Sequence, residues 1–166
     1  GDPILLPAGG KHAVQLGYSR DLARCIVDCR AAPKAVRQVY NFGQRELPRW
    51  VHFLESMARA AGKPLNTVAI PSEILHRHSE LPWYDGSYAP FCDDNISMSL
   101  SKAEREIGLA FTPLTEWVKT TTEWYLSNPA ALQNTKHADL RWKEVLFAGK
   151  WKATIERLHS RFEPQP

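Results

Sequence analysis

The chain has 166 residues, of which 43% are hydrophobic and 23% charged, with 21 Lys and Arg against 18 Asp and Glu. That length holds one domain, or one domain with an appendage. The low hydrophobicity and high net charge of a disordered chain are absent, and so is an apolar run of roughly 18 residues that could span a bilayer, which leaves a soluble globular reading. The chain opens Gly1-Asp2-Pro3, with no Met and no basic-then-apolar leader, and reads as a processed form or a fragment. Residues 1–129 carry 14 basic and 14 acidic side chains, whereas 130–166 carry 7 and 4, so the whole excess of +3 sits in the tail. A charge of that size reads as a solvated face, with a nucleic-acid or anionic-surface patch as the alternative.

In chain order, Pro3 to Pro7 predicts a short apolar strand (Ile4, Leu5, Leu6), Gly9-Gly10 a turn, and Val14 to Tyr18 a second extended piece. A helix follows from Ser19 or Asp21. Its buried face is predicted to be Leu22, Cys25, Ile26 and Cys29, at i, i+3, i+4 and i+7, and Pro33 ends it. Val36 to Phe42 is rich in β-branched and aromatic residues and predicts a strand that closes on Gly43. Leu47 to Ala61 predicts a helix with Pro48 in its first turn, a buried face of Val51, Leu54, Met57, Ala58 and Ala61, and Gly62 as its stop. Thr67 to Ile70 predicts another strand. The stretch from Pro71 to Pro90 has no period and predicts a long loop, and loops of that length tend to carry function.

Ser101-Lys102-Ala103-Glu104 has the spacing of a capping box and predicts a short helix through Ile107, stopped by Gly108. From Thr112-Pro113 a strong amphipathic helix is predicted, with Leu114, Trp117, Val118, Thr121, Trp124 and Tyr125 at helical spacing and an end at Asn128-Pro129. Trp117 and Trp124 on that stripe read as core rather than as a stacking platform. Two further helices are predicted, one holding Ala138, Trp142, Val145 and Leu146, the other, after Gly149, holding Trp151, Ile155, Leu158 and Phe162.

Reactive constellations are mostly absent. Gly9-Gly10 is followed by Lys11-His12-Ala13, not by the third glycine and helix that approach a pyrophosphate. No GxSxG elbow, phosphate-cradling loop or HExxH is present. Cys25, Cys29 and Cys92 form no CxxC and read as reduced, small core residues of an intracellular protein. His76 and His78 lack a third ligand at diagnostic spacing, and Asp93-Asp94 reads as a solvated turn. Trp83, Tyr84 and Tyr88 stand in the aperiodic loop, where aromatics line a ligand mouth or simply anchor the loop.

The order of the pieces carries more than any one of them. Tyr18-Ser19-Arg20-Asp21-Leu22-Ala23, Val39-Tyr40-Asn41-Phe42-Gly43, a Val68-Ala69-Ile70-Pro71 strand, Ser101-Lys102-Ala103 with Ile107-Gly108 and Phe111-Thr112-Pro113, and finally Glu123-Trp124-Tyr125 form one series. Over roughly residues 3–129 it resembles the C-terminal half of the extended short-chain dehydrogenase/reductase family, the NAD-dependent nucleotide-sugar epimerases and dehydratases.

The resemblance implies an α/β fold: a partial Rossmann-type region with short strands and amphipathic helices over 1–129, and a helical tail over 130–166. It implies the substrate-binding part of an oxidoreductase or isomerase that acts on a sugar or sugar-nucleotide-like substrate by hydride transfer in the intact enzyme. NAD or NADP would be the cofactor there, and none is expected to bind this chain alone, because the family's glycine fingerprint and Tyr-x-x-x-Lys pair have no counterpart here. The implied partners are a dinucleotide-binding half or companion chain, a small-molecule substrate and a second copy in a cytoplasmic homo-oligomer. No membrane is implied, and RNA or protein binding through the basic tail is the alternative. No catalytic or metal-ligating residue is assigned.

Gln15, Tyr18, Arg20, Arg45, Trp83, Tyr84 and Tyr88 are the expected substrate contacts. Asp21 is expected to cap its helix and Asn41 to hold a strand end near the cleft. Sugar-nucleotide members commonly carry an Arg-Asp-Phe diphosphate clamp where this chain has Val14-Gln15-Leu16.

Overall fold

A computed structural model describes residues 1–79, 81, 95, 97–133 and 140–162. Strands β1 (Ile4–Pro7) and β2 (Thr67–Ile70) pair in parallel, with Ile4 opposite Thr67 and Pro7 opposite Ile70. Between them run helices α1 (Ser19–Ala31) and α2 (Trp50–Ala60), and after them α3 (Ser72–Leu75), α4 (Ser101–Ile107), α5 (Leu114–Ser127), α6 (Pro129–Gln133) and α7 (Arg141–Phe162). The fold is mixed α/β.

Parallel strands call for cover on both faces; here one face is packed throughout, and the other is covered at Leu6 while its partner Ala69 is exposed. On one side Leu5, Val68 and Ile70 pack with Leu75, Leu81 and Ala148, and α7 brings Phe147 and Trp151 against them. On the other, Leu6 lies so close to the turn after β1 that a Cβ on Gly10 would sit 2.8 Å from it and 2.9 Å from the Val51 amide of α2. Gly10 therefore serves close packing, at a positive φ of 63°. The charged tail is tied to this sheet: Arg141 donates to the Pro3 carbonyl at 2.6 Å, and the Trp151 indole to that of Ala69 at 3.1 Å.

A second core joins α2 to α5. Tyr18 stacks on Trp117 with centroids 5.7 Å apart, and Phe53 reaches the same indole at 5.7 Å. A third packs α4, through Ala103 and Ile107, against Cys25 and Cys29 of α1 and against Tyr40 and Phe42.

Several expectations are corrected. Val36 to Phe42 is not a strand. Arg37 adopts a positive φ of 58°, and Val36 and Val39 are 70% and 84% exposed. No ladder forms there, and Lys102 Nζ bonds the Val39 carbonyl instead. Val14 to Tyr18 forms no strand either. Ala13 bridges Arg49 and Val14 is a bridge residue too, but neither extends into a ladder among the described residues: Val14 N–H donates to the Pro48 carbonyl, and Pro48 has no N–H to return. Pro48 accordingly precedes α2 rather than lying in its first turn, and the buried residue of α2 is Phe53, with Met57 exposed.

The face of α1 is also rotated from the expected one. Leu22, Ile26 and Val27 are exposed and Asp21 is buried. Trp124 and Tyr125 at the end of α5 are exposed, unlike Trp117. The capping box at α4 does not close, since no side-chain cap bond forms and Glu104 pairs with Arg45. The two expected C-terminal helices are one. Gly149 lies inside α7, at a cost of about 1 kcal/mol relative to Ala, with Phe147, Ala148 and Trp151 packed on the sheet on either side of it. Trp142, Leu146, Leu158 and Phe162 are exposed. Gly62 and Gly108 do stop their helices in the left-handed region, at φ 63° and 66°.

Candidate functional site

Where regular structure gives out, side chains stitch the backbone together. Gln15 donates from Nε2 to the Gln44 carbonyl at 3.1 Å and the Met98 carbonyl at 3.2 Å, and its Oε1 accepts from Met98 N–H at 2.6 Å. Asn41 donates to the next carbonyl, Ser99, at 3.2 Å. A Cβ on Gly43 would meet the Gln15 side chain at 2.9 Å, so the glycine makes room for this bracket.

Behind it lies a buried carboxyl group. Asp21, 1% exposed, accepts from Thr112 N–H at 2.8 Å, from the Thr112 hydroxyl at 2.7 Å and from Gln44 Nε2 at 3.2 Å, with Arg24 at 3.6 Å. The carboxylate thus joins α1 to the segment before α5 and does not cap its own helix, whose N-terminus has no side-chain cap. Glu46 performs that service for α5 by accepting from Leu114 N–H at 2.7 Å.

Arg45 stands at the edge of this seam, its side chain 73% exposed. The guanidinium is paired with Glu104 through Nε and Nη2 and lies 5.9 Å from the centre of the Phe111 ring. Nearby, the Tyr40 hydroxyl donates to Glu106 at 3.1 Å. Desolvation and that bond push the Tyr40 pKa up. Desolvation opposes ionisation of Glu106, but the bonds from Tyr40 and Arg105 and the charge of Lys102 hold its pKa below the usual carboxylate value. Burial, with Cys29 beside it, pushes the Cys25 thiol up.

The structure gathers Gln15, Asn41 and Arg45 along one seam and places Asp21 beneath it. Tyr18 and Arg20 fall elsewhere, in a groove of about 340 Å³ between the start of α1 and the end of α5 that Thr120, Thr121, Trp124 and Tyr125 also line. Trp83, Tyr84 and Tyr88 lie outside the described residues, as do Cys92, Asp93, Asp94 and Ala138. Gln44 and Glu46 do not stand out in the sequence, and Glu104 and Thr112 stand out there only as a capping-box residue and a helix start, not as partners of Arg45 and Asp21. The polar run Gln44-Arg45-Glu46 after a glycine was the available signal for the first two.

Among the described residues no group of His, Cys, Asp and Glu could hold a metal ion, and no helix is long and apolar enough to cross a membrane. The Gly9-Gly10 turn does not fit a dinucleotide, because Gly10 is filled against Leu6 and Val51 and no helix follows until Ser19.

A parallel strand pair packed among helices, with an irregular polar seam at one side, is a mixed α/β arrangement, and solved structures of the Rossmann type are similar to it in fold. UDP-glucuronic acid 4-epimerase from Bacillus cereus in complex with NAD is similar over 74% of this chain and 33% of that one, with a TM-score of 0.53 and 14% identity. The same enzyme with UDP-glucuronic acid and NAD gives 0.56 at 13% identity, over 75% and 35%. At the level of sequence, the chain is 25% identical over 151 residues to the chloroplast stem-loop binding protein of 41 kDa b from Arabidopsis thaliana, covering 90% of this chain and 38% of that protein. A likeness of 151 residues exceeds what 1–129 can supply, so it runs into the C-terminal helices. No family model matches. The chain spans about a third of the length of these epimerases and under two-fifths of the plant protein.

Proposed function

We propose that the chain is the substrate-binding part of an NAD(P)-dependent epimerase/dehydratase-like protein and is catalytically incomplete alone. A dinucleotide-binding half supplies cofactor and chemistry, and the seam meets the substrate through Arg45, with Gln15 and Asn41 holding the backbone beside it. The observation that supports this most is the match of three-quarters of the chain to one-third of NAD-bound epimerase structures. Within the seam, Arg45 is the group that can turn to a ligand. Its guanidinium is exposed and held by a single carboxylate, and surface pairs of that kind contribute only about 0–1 kcal/mol, so an anionic substrate oxygen can displace Glu104 at little cost. Gln15 is saturated by backbone and positions the 98–99 segment.

The class of substrate is a sugar carrying at most one anionic group. Where the resembling enzymes place a diphosphate-clamping Arg, this chain has Val14, which is fully buried. Backbone and methyl chemical shifts during titration with glucuronic acid, a glucose 1-phosphate and a UDP-sugar test the reading. Perturbations by glucuronic acid or the glucose 1-phosphate centred on residues 15, 41, 45 and 98–99, weakened about tenfold by Arg45→Ala, are expected, with the UDP-sugar no better a ligand than either. Shifts confined to α7, or none at millimolar ligand, overturn it.

A second reading rests on one specific observation, the likeness across nearly the whole chain to a protein named for stem-loop binding. On that reading the basic residues of α7 contact an RNA backbone. Affinity for an RNA hairpin would fall steeply with salt, and removal of Lys150, Lys152 and Arg157 charges would flatten that slope.

A further inference from the structure

The groove between α1 and α5 differs from the seam in having its polar groups unspent. Arg20, in the first turn of α1, is exposed and has no carboxylate partner among the described residues. Tyr18 is only 8% exposed, yet it lines the groove and its hydroxyl has no hydrogen-bond partner there. The start of α1 carries no side-chain cap, so its first amides are free to meet an anion. Asp21, the acid of that turn, is consumed by Thr112 and Gln44.

Facing these donors are two rings that helical spacing would have buried. Trp124 is 53% and Tyr125 37% exposed, set edge to face with centroids 5.0 Å apart. The Thr120 hydroxyl donates to the Glu116 carbonyl at 3.0 Å, which leaves its lone pairs for a ligand donor. Glu123, the acid nearest in sequence to the rings, sits 3.9 Å from Lys119 and does not line the groove.

We propose that this groove binds a nucleoside monophosphate unit, its base stacked on Trp124 and its phosphate held by Arg20 and the first amides of α1. A flat π-face beside a free guanidinium fits a base and its phosphate, and 340 Å³ lies in the range of small-ligand sites. Thr120 and the Tyr18 hydroxyl remain for ribose or base edges. The unit can come from a free nucleotide or from an unpaired nucleotide in an RNA loop. The groove belongs to α1 and α5 of this chain and does not depend on a companion half, so failure of the epimerase reading leaves it standing.

The test follows the indole N–H resonance of Trp124 in the full chain at low salt. AMP, UMP, a hairpin RNA with an unpaired loop and the corresponding fully paired duplex are added in turn, with fluorescence anisotropy giving hairpin affinity. Either a mononucleotide or the hairpin should move the Trp124 signal, with the duplex at least fivefold weaker than the hairpin. Response to both mononucleotide and hairpin at similar affinity marks a free-nucleotide site, and a response to the hairpin alone marks RNA as the source. Trp124→Ala should weaken the bound ligand fivefold or more, and Arg20→Ala should lower the salt slope by nearly one unit while the thermal midpoint stays unchanged. A Trp124 signal that no ligand moves overturns the proposal. Hairpin binding that survives both groove variants but is lost on Lys152→Ala with Arg157→Ala overturns it as well.

Discussion

Two polar regions of this chain draw on the same kinds of side chain and end in opposite states. In the seam, Gln15 is bonded at both ends of its amide, Asp21 accepts three hydrogen bonds, and Arg45 has met Glu104. In the groove, Arg20 and the Tyr18 hydroxyl have no partner among the described residues, and Trp124 stands open beside them. Saturated polar groups hold irregular backbone in place, because each orphan they satisfy would otherwise cost about 1–3 kcal/mol. Unsaturated ones contribute little to folding and are available for a ligand. The contrast separates residues that position, such as Gln15 and Asp21, from residues free to bind, and Arg45, whose one surface pair is displaceable, stands between the two.

Substitutions at the two tryptophans of α5 break the contrast most sharply. Trp117→Ala empties the core between Tyr18 and Phe53 and should cost about 3–5 kcal/mol, read from urea denaturation midpoints, whereas Trp124→Ala should move stability by no more than about 0.5 kcal/mol. Next in size, Asp21→Ala strands Thr112 and Gln44 and should cost about 2–4 kcal/mol. Hydrogen exchange should show the amide of Thr112 losing its protection. Arg45→Ala should cost at most about 1 kcal/mol, since its pair with Glu104 is mostly exposed. A larger loss would mean that the pair is part of the scaffold and not displaceable.

The smallest effect is a pH profile. The pKa of Glu106 is held low in the fold, so its contribution is present above the ordinary carboxylate value and is lost as pH falls through the lowered one. The pKa of Tyr40 is raised, so its share is present below its ordinary value near 10 and is lost as pH rises toward the higher one. Tyr40→Phe should therefore flatten the thermal midpoint against pH on both the acid and the alkaline limb. An unchanged acid limb would show that another group governs Glu106.

Local features of the fold are legible in the residues, and long-range ones are not. Gly62 and Gly108 announce helix ends because a left-handed cap is a property of one residue. Val36 to Phe42 has strand composition, but a strand requires a neighbour, and the neighbour at hand is the single side chain of Lys102. The face of α1 follows the apolar period only until Asp21, pinned by Thr112 at a separation of 91 residues, turns Leu22 and Ile26 outward. Gln15 and Arg45 could be singled out as polar residues near turns. Their partners Met98 and Glu104 lie 83 and 59 residues away, and nothing in the local pattern announces such pairings. Trp124 shares a stripe with Trp117, and periodicity cannot tell where the covering helix α2 stops.

A chain that carries only the substrate side of a two-part enzyme, as proposed, has no dinucleotide site of its own. Isothermal calorimetry with NAD and NADP titrated into the full chain should then give no saturable heat with either dinucleotide up to millimolar concentration, and micromolar binding to the chain alone would refute the proposal.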